Sequence, residues 1–185
     1  SPLELNKNLS YFNSHDYREG FIRVPGVRWF TNLEHGRRHQ PLQLMTMEDN
    51  IKFSKHKEVQ VVGYQKYDNY DAIEVPFSDA IPSDYDGVMG VPISFLDKYC
   101  PEQFEIVGLA PERSDTMINR IFHYNNAVQH NSNGSTQSGN KVNDGPTILY
   151  KEPPAKFPYY TCENREGFLE VLYARILIKK KSEGR

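Results

Sequence analysis

Apolar residues fall along this chain in short bursts, most of them with the two-residue alternation of a half-buried strand. Val27, Trp29, Thr31 and Leu33 share one side of such a run, and Arg28, Phe30 and Asn32 the other. Residues 42–47 alternate as well, and between the two runs lies Glu-His-Gly-Arg-Arg-His-Gln-Pro. This predicts a β-hairpin with a basic tip. Upstream, Leu3, Leu5, Leu9 and Phe12 are spaced to anchor a segment on a larger body, and residues 21–24 form a strand ended by the turn pair Pro25-Gly26. Residues 51–63 fit either class, with residues 59–62 as a short strand or its start.

The densest stretch is 67–109. Residues 72–75 are β-prone, and residues 81–87 are turn chemistry, with Pro82 fixing φ, Asp84 and Asp86 bonding local backbone and Gly87 freeing φ. Residues 88–91 make a short strand. Pro92 then suits the first turn of a helix whose apolar face is Ile93, Phe95, Leu96 and Tyr99, and Cys100-Pro101 stops it. Residues 104–109 read as a buried strand.

Residues 111–129 predict a helix capped by Ser114 or Asp115, with Met117, Ile118, Ile121 and Phe122 on one face. Residues 125–145 are polar and glycine-bearing, with almost nothing to bury, which predicts a long mobile loop inserted into the fold. Residues 147–150 suit a strand, and residues 152–158 are held extended by prolines. Residues 169–178 suit a final strand followed by the basic tail Lys179, Lys180, Lys181. The whole predicts one α+β domain over 1–185: a mixed, mostly antiparallel sheet of about five to seven strands with two or three helices and one long polar loop.

Composition narrows this picture a little. A chain of 185 residues, 38% hydrophobic and 25% charged, suits a folded domain rather than a disordered one. There is no run of about 18 apolar residues, so no membrane partner is expected. The first residues, Ser-Pro-Leu-Glu-Leu-Asn, lack both an initiator Met and the order of a signal peptide, which points to a fragment or a processed chain. Cys100 and Cys162 are too few and too far apart for a disulfide scaffold or a zinc ribbon, so reduced thiols in a cytoplasm are expected. The net charge of −2 hides a division: +3 over 1–67, −9 over 68–115 and +4 over 116–185. Binding to nucleic acid requires the two basic ends to share a face turned away from the acidic middle.

Three ordered blocks carry a resemblance. They are Val-Arg-Trp-Phe-Thr-Asn-Leu-Glu-His-Gly-Arg-Arg-His at 27–39, the central block, and Tyr-Ala-Arg-Ile-Leu-Ile-Lys at 173–179. The central block combines Tyr-Asp-Asn-Tyr-Asp-Ala-Ile at 67–73, Ile-Pro-Ser-Asp-Tyr-Asp-Gly-Val-Met-Gly-Val-Pro-Ile-Ser-Phe-Leu-Asp-Lys-Tyr at 81–99 and Pro-Glu-Gln-Phe-Glu-Ile-Val-Gly at 101–108. Together they closely resemble the EcoRI-type adenine-specific DNA methyltransferases of restriction–modification systems. The resemblance implies methyl transfer from S-adenosylmethionine to the exocyclic nitrogen of adenine in double-stranded DNA.

That chemistry needs a Gly-rich turn for the cofactor and an Asp/Asn/Ser-Pro-Pro-aromatic tetrapeptide at a flipped base. Neither F-x-G-x-G nor G-x-G-x-x-G occurs, and the Pro-Pro pair sits in Glu152-Pro153-Pro154-Ala155, with an acid too long and no ring to stack. In the resembling family these motifs lie N-terminal to blocks like the present ones. The expectation is therefore a C-terminal, target-recognition portion that binds no cofactor, partners a catalytic N-terminal half, and is inactive alone.

The candidate DNA contacts are His35, Arg37, Arg38 and His39 at the hairpin tip, where Arg bonds guanine edges or phosphate, together with Asn69 and Tyr70. Trp29, Phe30, Tyr67 and Tyr70 are candidates to stack on an extrahelical base, with core packing within strands the better reading for Trp29 and Phe30. His35 and His39 are four apart but lack a third ligand and are interrupted by Gly36, so no metal site is expected. Two rivals remain: an interaction module docking on a separate methyltransferase subunit, and a small metal-dependent nuclease built on His123 and His130.

Overall fold

The computed structural model describes residues 39–110 and 120–181, and the backbone of residues 17–18 and 21–22. The chain divides into two compact units, residues 1–34 and 35–185. In the first, β1 (Tyr17–Arg18) and β2 (Phe21–Ile22) pair antiparallel. The expected strand at 27–33, and with it His35, Arg37 and Arg38, lies outside the described residues.

The second unit opens with two short helices. Thr46 caps α1 (Met47–Phe53): its Oγ1 accepts the Asp49 N–H at 3.1 Å, with Glu48 and Asp49 in the first turn and Lys52 in the last, as the helix dipole favours. α2 (Lys57–Val62) ends at Gly63, whose φ of 68° suits glycine. Two expectations are corrected here. Residues 42–44 are not a strand, and Met45 makes an isolated bridge to Pro82, because the Thr46 cap turns the next residues into a helix; the other arm of the expected hairpin lies outside the described residues. Residues 59–62 are helical, not a strand.

Two sheets follow. The four-stranded sheet has the order β3 (Ile73–Glu74), β4 (Met89–Val91), β11 (Arg175–Lys180), β5 (Phe104–Ala110). β3 and β4 are parallel, and β11 runs antiparallel between β4 and β5. The five-stranded sheet is antiparallel: β7 (Thr136–Ser138), β6 (Val128–His130), β9 (Tyr159–Cys162), β10 (Arg165–Val171), β8 (Thr147–Tyr150). The α+β expectation thus holds, with two sheets in place of one.

β11 links the apolar layers. Ile176 and Ile178 pack with Ile73, Met89, Val91 and Phe95, while Leu177, on the opposite face by strand alternation, packs with Tyr67, Tyr70 and Ile148. Phe95 comes from the 3-10 helix Ile93–Lys98, which begins after Pro92 as its sequence predicts, although Ile93 is exposed.

Other expectations change. Residues 169–178 are not one strand: the chain leaves the five-stranded sheet after Val171 and enters the other at Arg175. The basic tail is no tail through Lys180, which lies in β11. β5 is an edge strand buried only at Phe104 and Ala110, with Ile106 and Leu109 exposed. Residues 120–129 are not helical; residues 128–129 belong to β6. The polar stretch 125–145 is not an unstructured loop but supplies β6, β7 and the 3-10 helix Asn140–Asn143. Backbone pairing with β9, the buried Val142 and the Gln129 Oε1 that accepts from Tyr160 Oη at 3.1 Å anchor it without a run of apolar residues.

Candidate nucleic-acid interface

The residues that carry the resemblance converge, and mostly inward. Residues 67–70 form a seam between the two sheets. The Asp68 N–H donates to the Thr147 carbonyl at 2.9 Å. Asn69 Nδ2 donates to the Gly145 carbonyl and Asn69 Oδ1 accepts the Thr147 N–H, both at 2.9 Å. Asp68 also accepts from Tyr124 Oη at 2.9 Å and pairs with Arg165 of β10. Burial first, then the Asp68 carboxylate, pushes the Tyr124 phenol well above its ordinary range.

Asn69 and Tyr70, expected at DNA, are both completely buried, and the Arg120 guanidinium lies 5.6 Å from the Tyr70 ring centre. The turn chemistry of Asp-Asn-Tyr-Asp explains this placement, because an amide that satisfies the backbone on both sides of Pro146 is a structural joint.

Beside the seam is a buried ion pair. Arg175 Nη2 lies 2.6 Å from Glu74 Oε1, and Arg175 Nε donates to both carboxylate oxygens at 3.1 Å. Tyr67 Oη donates to Glu74 Oε2. Burial and then the Glu74 charge raise the Tyr67 phenol far above its ordinary range. A Cβ on Gly90 would stand 2.1 Å from Tyr67 Oη, so the glycine makes room for the ring. At Gly87 the corresponding space is filled by Tyr85, 2.5 Å away. The spaces beside Gly87 and Gly90 are therefore filled by tyrosines of this chain, which leaves no room at these two glycines for a nucleotide-type cofactor.

Sequence reasoning missed this pair. The signal was present: a lone Glu inside Ala72-Ile73-Glu74-Val75 and a lone Arg opening Arg175-Ile176-Leu177-Ile178.

The surface candidate is a corner of the four-stranded sheet. His39, the described end of the basic segment, places Nδ1 2.6 Å from Glu102 Oε1. The Cys100 thiol, the Glu102 N–H and then His39 hold the Glu102 carboxyl below the usual carboxylate range. The Leu42 N–H donates to Gln103 Oε1 at 2.7 Å, and Gln103 Nε2 donates back to the Leu42 carbonyl at 2.8 Å. The Lys181 N–H donates to the Gln103 carbonyl at 2.9 Å. Leu42, Gln103, Lys180 and Lys181 line an open cleft of about 660 Å³. Lys180 Nζ donates to the Ser83 carbonyl and lies 3.9 Å from Asp86. Nothing in the residue pattern singled out Gln103.

The remaining motifs are unremarkable in chemistry. His130 stacks on Tyr159 and meets Thr161 Oγ1 at 2.9 Å, while His123 is exposed beside Asn125. Among the described residues no three metal-ligating side chains gather, and no helix is long and apolar enough to cross a membrane. Cys100 and Cys162 are free thiols. Glu152-Pro153-Pro154-Ala155 lies at the surface.

With this geometry in place, comparison with known proteins gives the family. The chain belongs to the family described as adenine-specific methyltransferase EcoRI, whose model matches residues 3–181. Relatives include the type II methyltransferase M.EcoRI of Escherichia coli, 48% identical over 79 residues, and M.MpnI of Mycoplasma pneumoniae, 42% over 87. A third is M.MgeORF184P of Mycoplasma genitalium, 37% over 117. The matches cover 43%, 47% and 56% of this chain but 22%, 24% and 34% of the relatives, so the chain spans a minor part of their length. No solved structure matches.

Proposed function

We propose that this chain is the DNA-recognition side of an adenine-N6 methyltransferase of a restriction–modification system, and that the methyl-transfer centre is built by other sequence. The carrying observation is a family match across residues 3–181 in a chain without F-x-G-x-G and without an Asn-Pro-Pro-Phe-type tetrapeptide. The tyrosines filling the spaces at Gly87 and Gly90 support the same reading. In the whole enzyme S-adenosylmethionine supplies the methyl group and duplex DNA the adenine. Within this chain His35, Arg37, Arg38 and His39 meet the duplex, while the buried Asn69 and Tyr70 serve the fold.

The test has two arms. Incubated with duplex DNA and labelled S-adenosylmethionine, the chain transfers no methyl group; transfer to adenine at ordinary turnover refutes the division of labour. Its DNA affinity falls steeply with salt, and Arg37→Ala with Arg38→Ala lowers the slope of log K against log salt by about 2.

A second reading rests on the exposed Phe53 and Val61, 63% and 83% accessible, beside the acidic middle of the chain. It makes the chain an interaction module that docks on a separate methyltransferase subunit and never touches DNA. Salt-independent, negligible DNA binding selects it.

A further inference from the structure

We infer that the cleft between residues 123–127 and the 3-10 helix Asn140–Asn143 is a binding site for an unpaired, unstacked nucleobase, with His123 as its stacking ring and Asn125 and Asn140 as its hydrogen-bonding groups. The inference rests on the DNA-recognition reading above and adds to it a contact made with a base rather than with phosphate.

Residues 123–126 belong to no strand, yet two side-chain amides hold their backbone. Asn143 Oδ1 accepts the Tyr124 N–H and Asn143 Nδ2 donates to the Tyr124 carbonyl, both at 3.0 Å. Asn164 Oδ1 accepts the Asn125 N–H at 2.8 Å, and Asn164 Nδ2 donates to the His123 carbonyl at 2.9 Å. Asn126, at a φ of 47° that asparagine tolerates, donates its amide to Glu163 at 2.7 Å. The Tyr124 ring is buried and its hydroxyl is tied to Asp68. Gly139 brings in the second wall. Its N–H donates to the Ala127 carbonyl at 2.8 Å, and a Cβ there would stand 2.7 Å from the Ala127 carbonyl carbon. Walls fixed by this many bonds lose little further freedom when they bind a ligand.

The groups left over share one chemistry. His123, Asn125 and Asn140 line the cleft and are exposed. Among the described residues the Asn140 side chain makes no hydrogen bond, and that of Asn125 meets only His123 Nδ1, at 3.4 Å. The cleft holds about 510 Å³, within the range of small-ligand sites. No Lys, Arg, Asp or Glu lines it, so nothing in it selects phosphate. Amides that both donate and accept match the polar edge of a base, and an imidazole offers a face to stack on. A concave surface does not enter a groove; it receives a group that projects from the duplex. Chemistry on a base takes it out of the stack and leaves its partner unpaired, which supplies such a group.

The experiment measures binding of the full chain by fluorescence anisotropy to three probes of one sequence: a fully paired duplex, the same duplex with one bulged adenine, and the single strand. Urea unfolding of each variant runs alongside. Wild-type chain binds the bulged duplex more tightly than the paired one. Asn125→Ala with Asn140→Ala weakens binding to the bulged duplex by about tenfold. It leaves affinity for the paired duplex, its salt slope and the unfolding midpoint unchanged, because no charge and no buried bond is lost. His123→Ala weakens the bulged complex as well, and His123→Phe restores it, as stacking requires. A loss of equal size on the single strand assigns the site to single-stranded bases; a loss confined to the bulged duplex assigns it to a base drawn from the stack.

Equal wild-type affinities for the paired and bulged duplexes, or a bulged complex untouched by the two asparagine substitutions, overturn the inference while the DNA reading stands. A wild-type chain that binds none of the three probes overturns both.

Discussion

Asn69 and Gln103 do the same thing with the same group, and the molecule uses the two joints differently. Each amide donates to one backbone carbonyl and accepts from one backbone N–H at ordinary distances. Asn69 is completely buried at the seam between the sheets, beside the Glu74–Arg175 pair. Gln103 is half-buried at the sheet corner, with water able to replace its bonds. The difference is dielectric and solvent access: an unmade bond is expensive at the seam and cheap at the corner. The seam is therefore suited to fixing the fold, and the corner contributes little to it.

Breaking the ion pair tests this contrast most severely. Glu74→Leu strands the Arg175 guanidinium and Tyr67 hydroxyl in the interior, and the unfolding free energy in urea falls by about 3–5 kcal/mol. Next, Asn69→Ala leaves the Thr147 N–H and Gly145 carbonyl unpaired in a dry site, a loss of about 1–3 kcal/mol. Gly90→Ala belongs with it, since its methyl group collides with the braced Tyr67 ring, at about 1–3 kcal/mol. In the folded fraction of these variants the salt slope for DNA stays at the wild-type value.

The smallest effect is at the corner. Glu102 has a folded pKa below its unfolded one, so its contribution is present above the unfolded value and fades as pH falls through the lower folded value. Because the carboxylate is exposed, acid titration followed by NMR shows the His39–Glu102 contact releasing below the usual carboxylate range with no shift in the unfolding midpoint. A large stability change there, or a small one at Asn69, inverts the contrast.

The sequence by itself determined the central block. Pro92 opening a helical turn, Cys100-Pro101 closing it, the strands beginning near Ile73 and Met89, and the α+β class all follow from local φ restrictions and alternation, which act within a few residues. It determined the family too, through ordered blocks. What only the tertiary structure decided is where the functional-looking residues went. Asp-Asn-Tyr-Asp is equally good turn chemistry and DNA chemistry, and only the approach of Gly145 and Thr147, more than 70 residues away, commits Asn69 to the interior. Residues 125–145 lack the apolar pattern of a packed element; their order comes from pairing with β9, a non-local ladder that residue pattern does not encode. The break between β10 and β11 and the clasp of Gln103 on Leu42 are likewise partnerships across long sequence separations, settled by which backbone groups the folded chain leaves in need of a mate.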